Sequence, residues 1–176
     1  MALRDLHLLG SPVLRTRSRN VETIDDELRA FIADLFETMD AAKGIGIAAN
    51  QVGVARRVAV VDVEGQRFAM INPVIRSAEG RARAEEGCLS IPELYGDVTR
   101  PDRIVLEATD EQGKPFTLEA SGMVARCIQH EIDHLDGILF VDHLSPLKRQ
   151  LLLARYKKDH RGEDVIKSLK PATNGR

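Results

Sequence analysis

Ser121-Gly122-Met123-Val124-Ala125-Arg126-Cys127-Ile128-Gln129-His130-Glu131-Ile132-Asp133-His134-Leu135-Asp136-Gly137 is the segment around which the rest of the chain must be arranged. Ser121 suits a helix N-cap and Gly137 suits the left-handed residue that closes a helix, so the stretch predicts a helix from about 122 to 136. Ala125, Ile128, Ile132 and Leu135 make most of its circumference apolar, which predicts burial. Within it, His130-Glu131-Ile132-Asp133-His134 is an H-E-x-x-H. Four residues are a little over one turn, so the two imidazoles share a face about 6 Å apart along the axis and can converge on one metal ion. Glu131 points roughly 100° away around the axis, near enough to reach a metal-bound water without being a ligand. The same pattern on a solvated helix would mean nothing, but buried histidines paired beside a carboxylate need a reason.

Outward from that helix, Leu28, Phe31, Ile32, Leu35, Phe36 and Met39 repeat at helical spacing, with Asp25 as N-cap and Gly44 as stop. Arg57–Val63 and Arg67–Asn72, joined by Glu64-Gly65, read as a hairpin, and Ile104–Asp110 with Pro115–Ala120 read as a second, turning at 111–113. Ser145-Pro146 opens a last helix. This order predicts an α+β fold, with mostly antiparallel sheets packed around the central metal-binding helix and a C-terminal helix. Residues 1–146 form the catalytic domain in this reading, and 147–176 a basic helix and tail packed on it.

At 176 residues, one core is the default. Net charge is −2, but from 147 onward nine Lys or Arg face three Asp or Glu, giving +6 against −8 before that point. No apolar run approaches the roughly 18 residues that span a bilayer, so no membrane partner is expected. Seven aromatics without Trp argue against a base-stacking platform for single-stranded nucleic acid. Two cysteines cannot build a disulfide framework, so Cys88 and Cys127 read as free thiols or metal ligands in a reducing compartment. The Arg-rich N-terminus has too short an apolar stretch for a secretory signal, and a cytoplasmic place is expected over an organellar one.

A catalytic metal needs a third protein ligand. Cys127 lies seven residues before His134, about 10.5 Å along the axis, too far for ligands that must converge to about 2 Å. Cys88 is the better candidate: it stands in Glu85-Glu86-Gly87-Cys88-Leu89-Ser90, where Gly87 permits close backbone approach and Pro92 prevents helix. Gly44-Ile45-Gly46-Ile47-Ala48-Ala49-Asn50-Gln51 lets backbone pass close to a ligand and offers Gln51 as an uncharged donor, although alone it could be only a tight connection.

Together these segments resemble one family. Gly44 to Gln51 looks like GxGLAAxQ, Glu86 to Ser90 matches EGCLS, and Gln129 to His134 matches QHExDH of the peptide deformylases, in the same order and at similar spacing. Gly10 to Arg15 resembles that family's N-terminal segment, so the likeness covers essentially the whole chain; the visible departure is Ile47 where Leu is usual. The resemblance implies a metal-dependent hydrolase that removes the N-formyl group from the formyl-methionine of new polypeptides, releasing formate. It implies Cys88, His130 and His134 as ligands of one divalent ion, Fe(II) in the cell, with Zn(II), Ni(II) or Co(II) possible in purified protein. It also implies Glu131 as proton carrier, with the Leu89 N–H and the Gln51 amide stabilising the oxyanion. The peptide would lie extended near Ile45, Gly46, Glu86 and Gly87, its methionine in an apolar pocket lined by Met123 and Cys127.

Two rival readings remain. A zincin-like metallopeptidase shares H-E-x-x-H, but its metzincin form needs a further His three residues beyond a Gly, whereas Gly137 is followed by Ile138-Leu139-Phe140. A binding module with a structural metal would need neither Glu131 nor Gln51. For the last helix, Leu147, Leu151, Ala154 and Lys158 mark a face that could dock on the body, leaving Lys148, Arg149, Arg155 and Lys157 toward solvent. Partners are then the N-formylmethionyl nascent peptide and, through this basic helix, the ribosome surface near the exit tunnel, with the chain a monomer. On that reading the tail is separable from catalysis.

Overall fold

The computed structural model describes residues 2–171. In chain order it runs β1 (Leu6–His7), a 3₁₀ turn (Pro12–Arg15), α1 (Asp26–Ala41), β2 (Gly46–Ala48), a 3₁₀ turn (Ala49–Val52), β3 (Val58–Val63) and β4 (Gln66–Glu79). It continues through β5 (Ala82–Cys88), β6 (Ile91–Arg100), β7 (Arg103–Thr109), β8 (Pro115–Ser121), α2 (Gly122–Leu135), a 3₁₀ turn (Phe140–His143), α3 (Pro146–Asp159) and β9 (Ile166–Lys167). The strands form a five-stranded sheet in the order β2-β3-β4-β7-β8 and two separate pairs, β5-β6 and β1-β9. Every one of these ladders is antiparallel, as an α+β reading with antiparallel sheets requires.

β3 explains the layering. Val58 and Val60 belong to the core shared with α1, while Ala59, Val61 and Val63 belong to the core shared with α2, so alternate residues of one strand serve two helices. A strand buried on both faces reads as a continuous apolar run, and Val58–Val61 is one, broken only at the half-buried Asp62 near the strand's end. The α1 stripe is buried at Leu28, Phe31, Ile32, Leu35 and Met39, and the Asp25 carboxylate accepts from the Leu28 N–H at 2.9 Å as the cap. The turn off this helix is made by Lys43 at φ 59°, one residue before the glycine expected to stop it. Gly44 is there for space: a Cβ would lie 2.6 Å from Leu89 Cδ1.

α2 sits between the five-stranded sheet and the β5-β6 hairpin. Ser121 has the extended backbone of an N-cap but its side chain makes no capping bond. Gly137 closes the helix at φ 77°, and its bare Cα faces the Arg15 carbonyl, where a Cβ would come within 2.8 Å. The expected strand at 67–72 continues to Glu79. Asn72 at φ 51° and Pro73 interrupt the ladder, and the register shifts between Ile71 and Val74 before pairing resumes.

The C-terminal region departs from expectation. Leu147 and Leu151 are 68% and 62% exposed, and Ala154 and Lys158 are exposed too, so that face does not dock. Tyr156, with Leu152 and Leu153 beside it, packs instead against Ile91, Leu94, Phe140 and Leu144. The chain then returns to pair with β1, the Leu8 N–H donating to the Val165 carbonyl at 2.6 Å, and Leu169 packs on the α1 core.

Candidate active site

Helix periodicity brings His130 and His134 to one face of α2, with Nε2 atoms 3.1 Å apart. At the end of β5 the ladder is irregular, Gly87 lying opposite Tyr95 but Cys88 opposite Ile91, and the Cys88 Sγ lies 3.3 Å from His134 Nε2. One donor atom from each of Cys88, His130 and His134 lies within 4.8 Å of the others. A tetrahedral ion with bonds of about 2.0–2.3 Å separates its ligands by roughly 3.3–3.6 Å, so a thiolate and two imidazoles placed this way fit a first-row divalent metal. Cys127 is outside the cluster; its thiol faces the Ile45 carbonyl at 3.5 Å.

Ring orientation is fixed from behind. Glu86 Oε1 accepts from His130 Nδ1 at 3.0 Å, which leaves the Nε2 lone pair for the metal. Arg100 grips both Glu86 oxygens, at 2.6 and 2.9 Å, and reaches Asp133 at 2.8 Å, while Arg126 adds a third bond to Glu86 Oε2 at 2.6 Å. Burial alone would raise the Glu86 pKa, yet the bonds from His130 and Arg100 outweigh it and hold the carboxyl well below the usual range. Glu86, expected against substrate, therefore has both oxygens engaged and orients His130 instead. Arg126, one turn before His130, is buried and paired with that acid.

The two imidazoles are driven apart electrostatically. Burial opposes charge on His130, but bonds to Cys88 and Glu86 outweigh it and lift its pKa well above the ordinary value. Burial and the neighbouring His130 push His134 well below it.

Glu131 is 3% exposed, one of its carboxylate oxygens has no partner among the described residues, and burial pushes its pKa up to about 7. A Cβ at Gly46 would lie 2.7 Å from Glu131 Oε1 and 3.0 Å from Cys127 Sγ, so the glycine in the Gly44–Gln51 segment makes room for this carboxylate. Gln51 is held by its own turn: Oε1 accepts from the Ala48 N–H at 2.9 Å, and Nε2 donates to Ser90 Oγ at 3.0 Å and faces Cys88 Sγ at 3.7 Å. The Asn50 amide donates to the His134 carbonyl, tying the same turn to α2.

These groups open onto one cleft of about 550 Å³. Ile45, Gly46, Gln51, Glu86, Gly87, Cys88, Leu89, Met123, Cys127, His130 and Glu131 all border it, so every expected site residue but the buried ligand His134 is on its wall. β2, the edge strand of the large sheet, follows Ile45 directly, and the Ile45 side chain is 48% exposed there. Sequence reasoning missed Tyr95, Lys167 and Leu169, which also border the cleft, and the Arg100–Asp133 support. Arg100 had a signal: it follows Leu94, Gly96 and Val98 at strict alternation on the buried face of β6.

The family described as polypeptide deformylase matches residues 3–150 of this chain. Peptide deformylase from Rhizobium meliloti (strain 1021) is 49% identical over 164 residues, covering 90% of this chain and 94% of that protein. The Chromohalobacter salexigens peptide deformylase is 52% identical over 152 residues, covering 84% and 89%. Among solved structures, a peptide deformylase from Legionella pneumophila superposes with a TM-score of 0.86 at 43% identity, over 91% of this chain and 96% of that one. The Ehrlichia chaffeensis enzyme in complex with actinonin gives 0.86 at 36% identity, over 92% and 99%. With sequence likeness running through the segments that build the cleft and the fold shared nearly end to end, this chain belongs to the polypeptide deformylase family.

Proposed function

We propose that this metal-dependent hydrolase removes the N-formyl group of nascent formyl-methionyl chains with Cys88, His130 and His134 as metal ligands and Glu131 as the proton carrier. The observation that carries the assignment is the convergence of three donor atoms within 4.8 Å beside a buried carboxylate with a free oxygen. When bound, a divalent ion there polarises the formyl oxygen and acidifies water. Glu131, with a pKa near 7, accepts the proton of the attacking water and returns it to the leaving amine. The Gln51 amide and the Leu89 N–H stabilise the oxyanion, contacts typically worth roughly 3 kcal/mol each. An extended peptide adds its backbone along the open edge at Ile45–Gly46, opposite Gly87, with its methionine between Met123 and Cys127. A thiolate with two imidazoles suits Zn(II) by donor type, whereas the likeness to the peptide deformylases implies Fe(II) in the cell, with Zn(II), Ni(II) or Co(II) accepted in purified protein. On this reading the enzyme acts as a monomer, and a nascent-chain substrate is met in the cytoplasm.

Anaerobically purified protein should release formate from a formyl-Met tripeptide, and a formyl-Asp tripeptide should react at least about 100-fold more slowly, because an apolar pocket imposes the desolvation cost of the charge. No formate from the Met peptide would sink the assignment, and equal rates for the two would sink the pocket.

The tail is assigned two roles. Lys148, Arg155, Lys157 and Lys158 are exposed on α3 and suit a polyanionic ribosome surface. The segment after α3 belongs to the cleft, since Lys167 and Leu169 border it. Reversing the four α3 charges should weaken low-salt ribosome cosedimentation and spare peptide turnover. Deleting everything after position 160 should raise KM several-fold. Unchanged cosedimentation refutes the first role, and wild-type kinetics in the truncated protein refute the second.

A further inference from the structure

We infer that Arg126 is a positioning residue for the metal site, a strut that sets the distance between the hairpin carrying Cys88 and the helix carrying His130 and His134. The inference rests on those three residues being the ligands. β5-β6 is a sheet of its own, with no ladder to the five-stranded sheet on which α2 lies. The sulfur ligand and the imidazole ligands therefore ride on separate bodies, yet their donor atoms must meet to within tenths of an ångström. Something must fix one body on the other.

One side chain does this at three points. Arg126 stands one turn before His130 on α2, and its Nη1 donates to Glu86 Oε2 at 2.6 Å and to the Val98 carbonyl at 2.9 Å, while Nη2 donates to the Ala82 carbonyl at 2.8 Å. Ala82 and Glu86 lie on β5 and Val98 on β6, so both strands of the hairpin are held. The side chain is 8% exposed, and Glu86, which it grips, is the acceptor for His130 Nδ1. Arg100 repeats the hold on Glu86, but it comes from β6 itself and its link to α2 is through Asp133 alone. Arg126 is thus the group that runs from the helix to both hairpin strands. Its planar fork serves three acceptors, which a lysine ammonium on a flexible stem cannot span in the same geometry.

The test is Zn(II) binding to the full-length protein, by competition with a chelator, in wild type, Arg126→Met and Arg126→Lys. Co(II) spectra of the same proteins report the thiolate charge-transfer band. Wild type should bind one Zn(II). Arg126→Met should bind it about 10–100-fold more weakly and show a diminished thiolate band, and Arg126→Lys should recover part of the loss. A purely structural arginine would lower thermal stability and leave the affinity and the band of the folded protein unchanged. Arg126→Met within twofold of wild type overturns the strut while leaving the site assignment intact. Failure of wild type to bind one Zn(II) overturns both. Should Arg126→Met not fold, Arg126→Lys decides alone: weakening of about fivefold or more supports the strut, and affinity within twofold of wild type overturns it.

Discussion

Glu131→Ala is expected to keep one metal ion per chain and to lose at least about 100-fold in turnover. Metal retention follows from geometry, because the three donor atoms that cluster belong to Cys88, His130 and His134 and not to Glu131. The loss of rate follows from proton bookkeeping: water must give up a proton and the leaving amine must gain one. Beside the cluster, the Glu131 carboxyl has a free oxygen and a pKa pushed by burial to about 7. A carboxyl in that range both accepts and releases a proton near neutral pH, whereas an ordinary one would hold it too weakly to be an efficient base. Stability should move the other way. The carboxyl is buried with an oxygen that has no partner among the described residues, so the isosteric Glu131→Gln, which removes the charge and keeps the shape, should melt at or above the wild-type temperature. Metal content, formate release and a melting curve on the two variants check all three expectations. Turnover within tenfold of wild type would remove Glu131 from the proton path.

Much of this site could be read from the chain before any coordinates because its parts are local. An H-E-x-x-H on an apolar helix fixes its own geometry by the pitch of the helix, and Asp25, Gly137 and Ser145 mark helix ends through contacts with near neighbours in sequence. What escaped reading is what depends on distant partners. β5 and β6 carry a weak strand signal because Glu85, Glu86, Gly87 and Gly96 are poor strand formers, and the inward charges make sense only once Glu86, Arg100, Arg126 and Asp133 are seen as one buried cluster. The place of Arg126 is likewise set by acceptors on β5 and β6, far from it in sequence. The docking face of α3 was misplaced for the same reason. Leu147 and Leu151 are an apolar pair one turn apart, but the groove under the helix accepts Tyr156 with Leu152 and Leu153, and helical spacing does not decide which stripe meets a surface built elsewhere.

The two cysteines give the second large effect. Cys88→Ala should lose metal and activity together, while Cys127→Ala should keep both. Only Cys88 has its sulfur in the cluster, 3.3 Å from His134 Nε2, with the Gln51 amide 3.7 Å away. Cys127 is the opposite case. Burial, reinforced by the nearby Glu131 and Glu86 charges, pushes its thiol pKa well up, so it stays protonated and is a poor ligand, and its contact is with the Ile45 carbonyl on the cleft wall. Removing its sulfur should cost stability on the order of 1 kcal/mol for the lost packing. It should also enlarge the space beside Met123, so the Cys127→Ala protein should tolerate a bulkier first residue in the formyl peptide than wild type does. Metal analysis of the two purified variants separates the sulfurs. A metal-free Cys127→Ala beside a metal-replete Cys88→Ala would mean that α2 supplies all three ligands, which its own pitch forbids unless the helix breaks between Cys127 and His134.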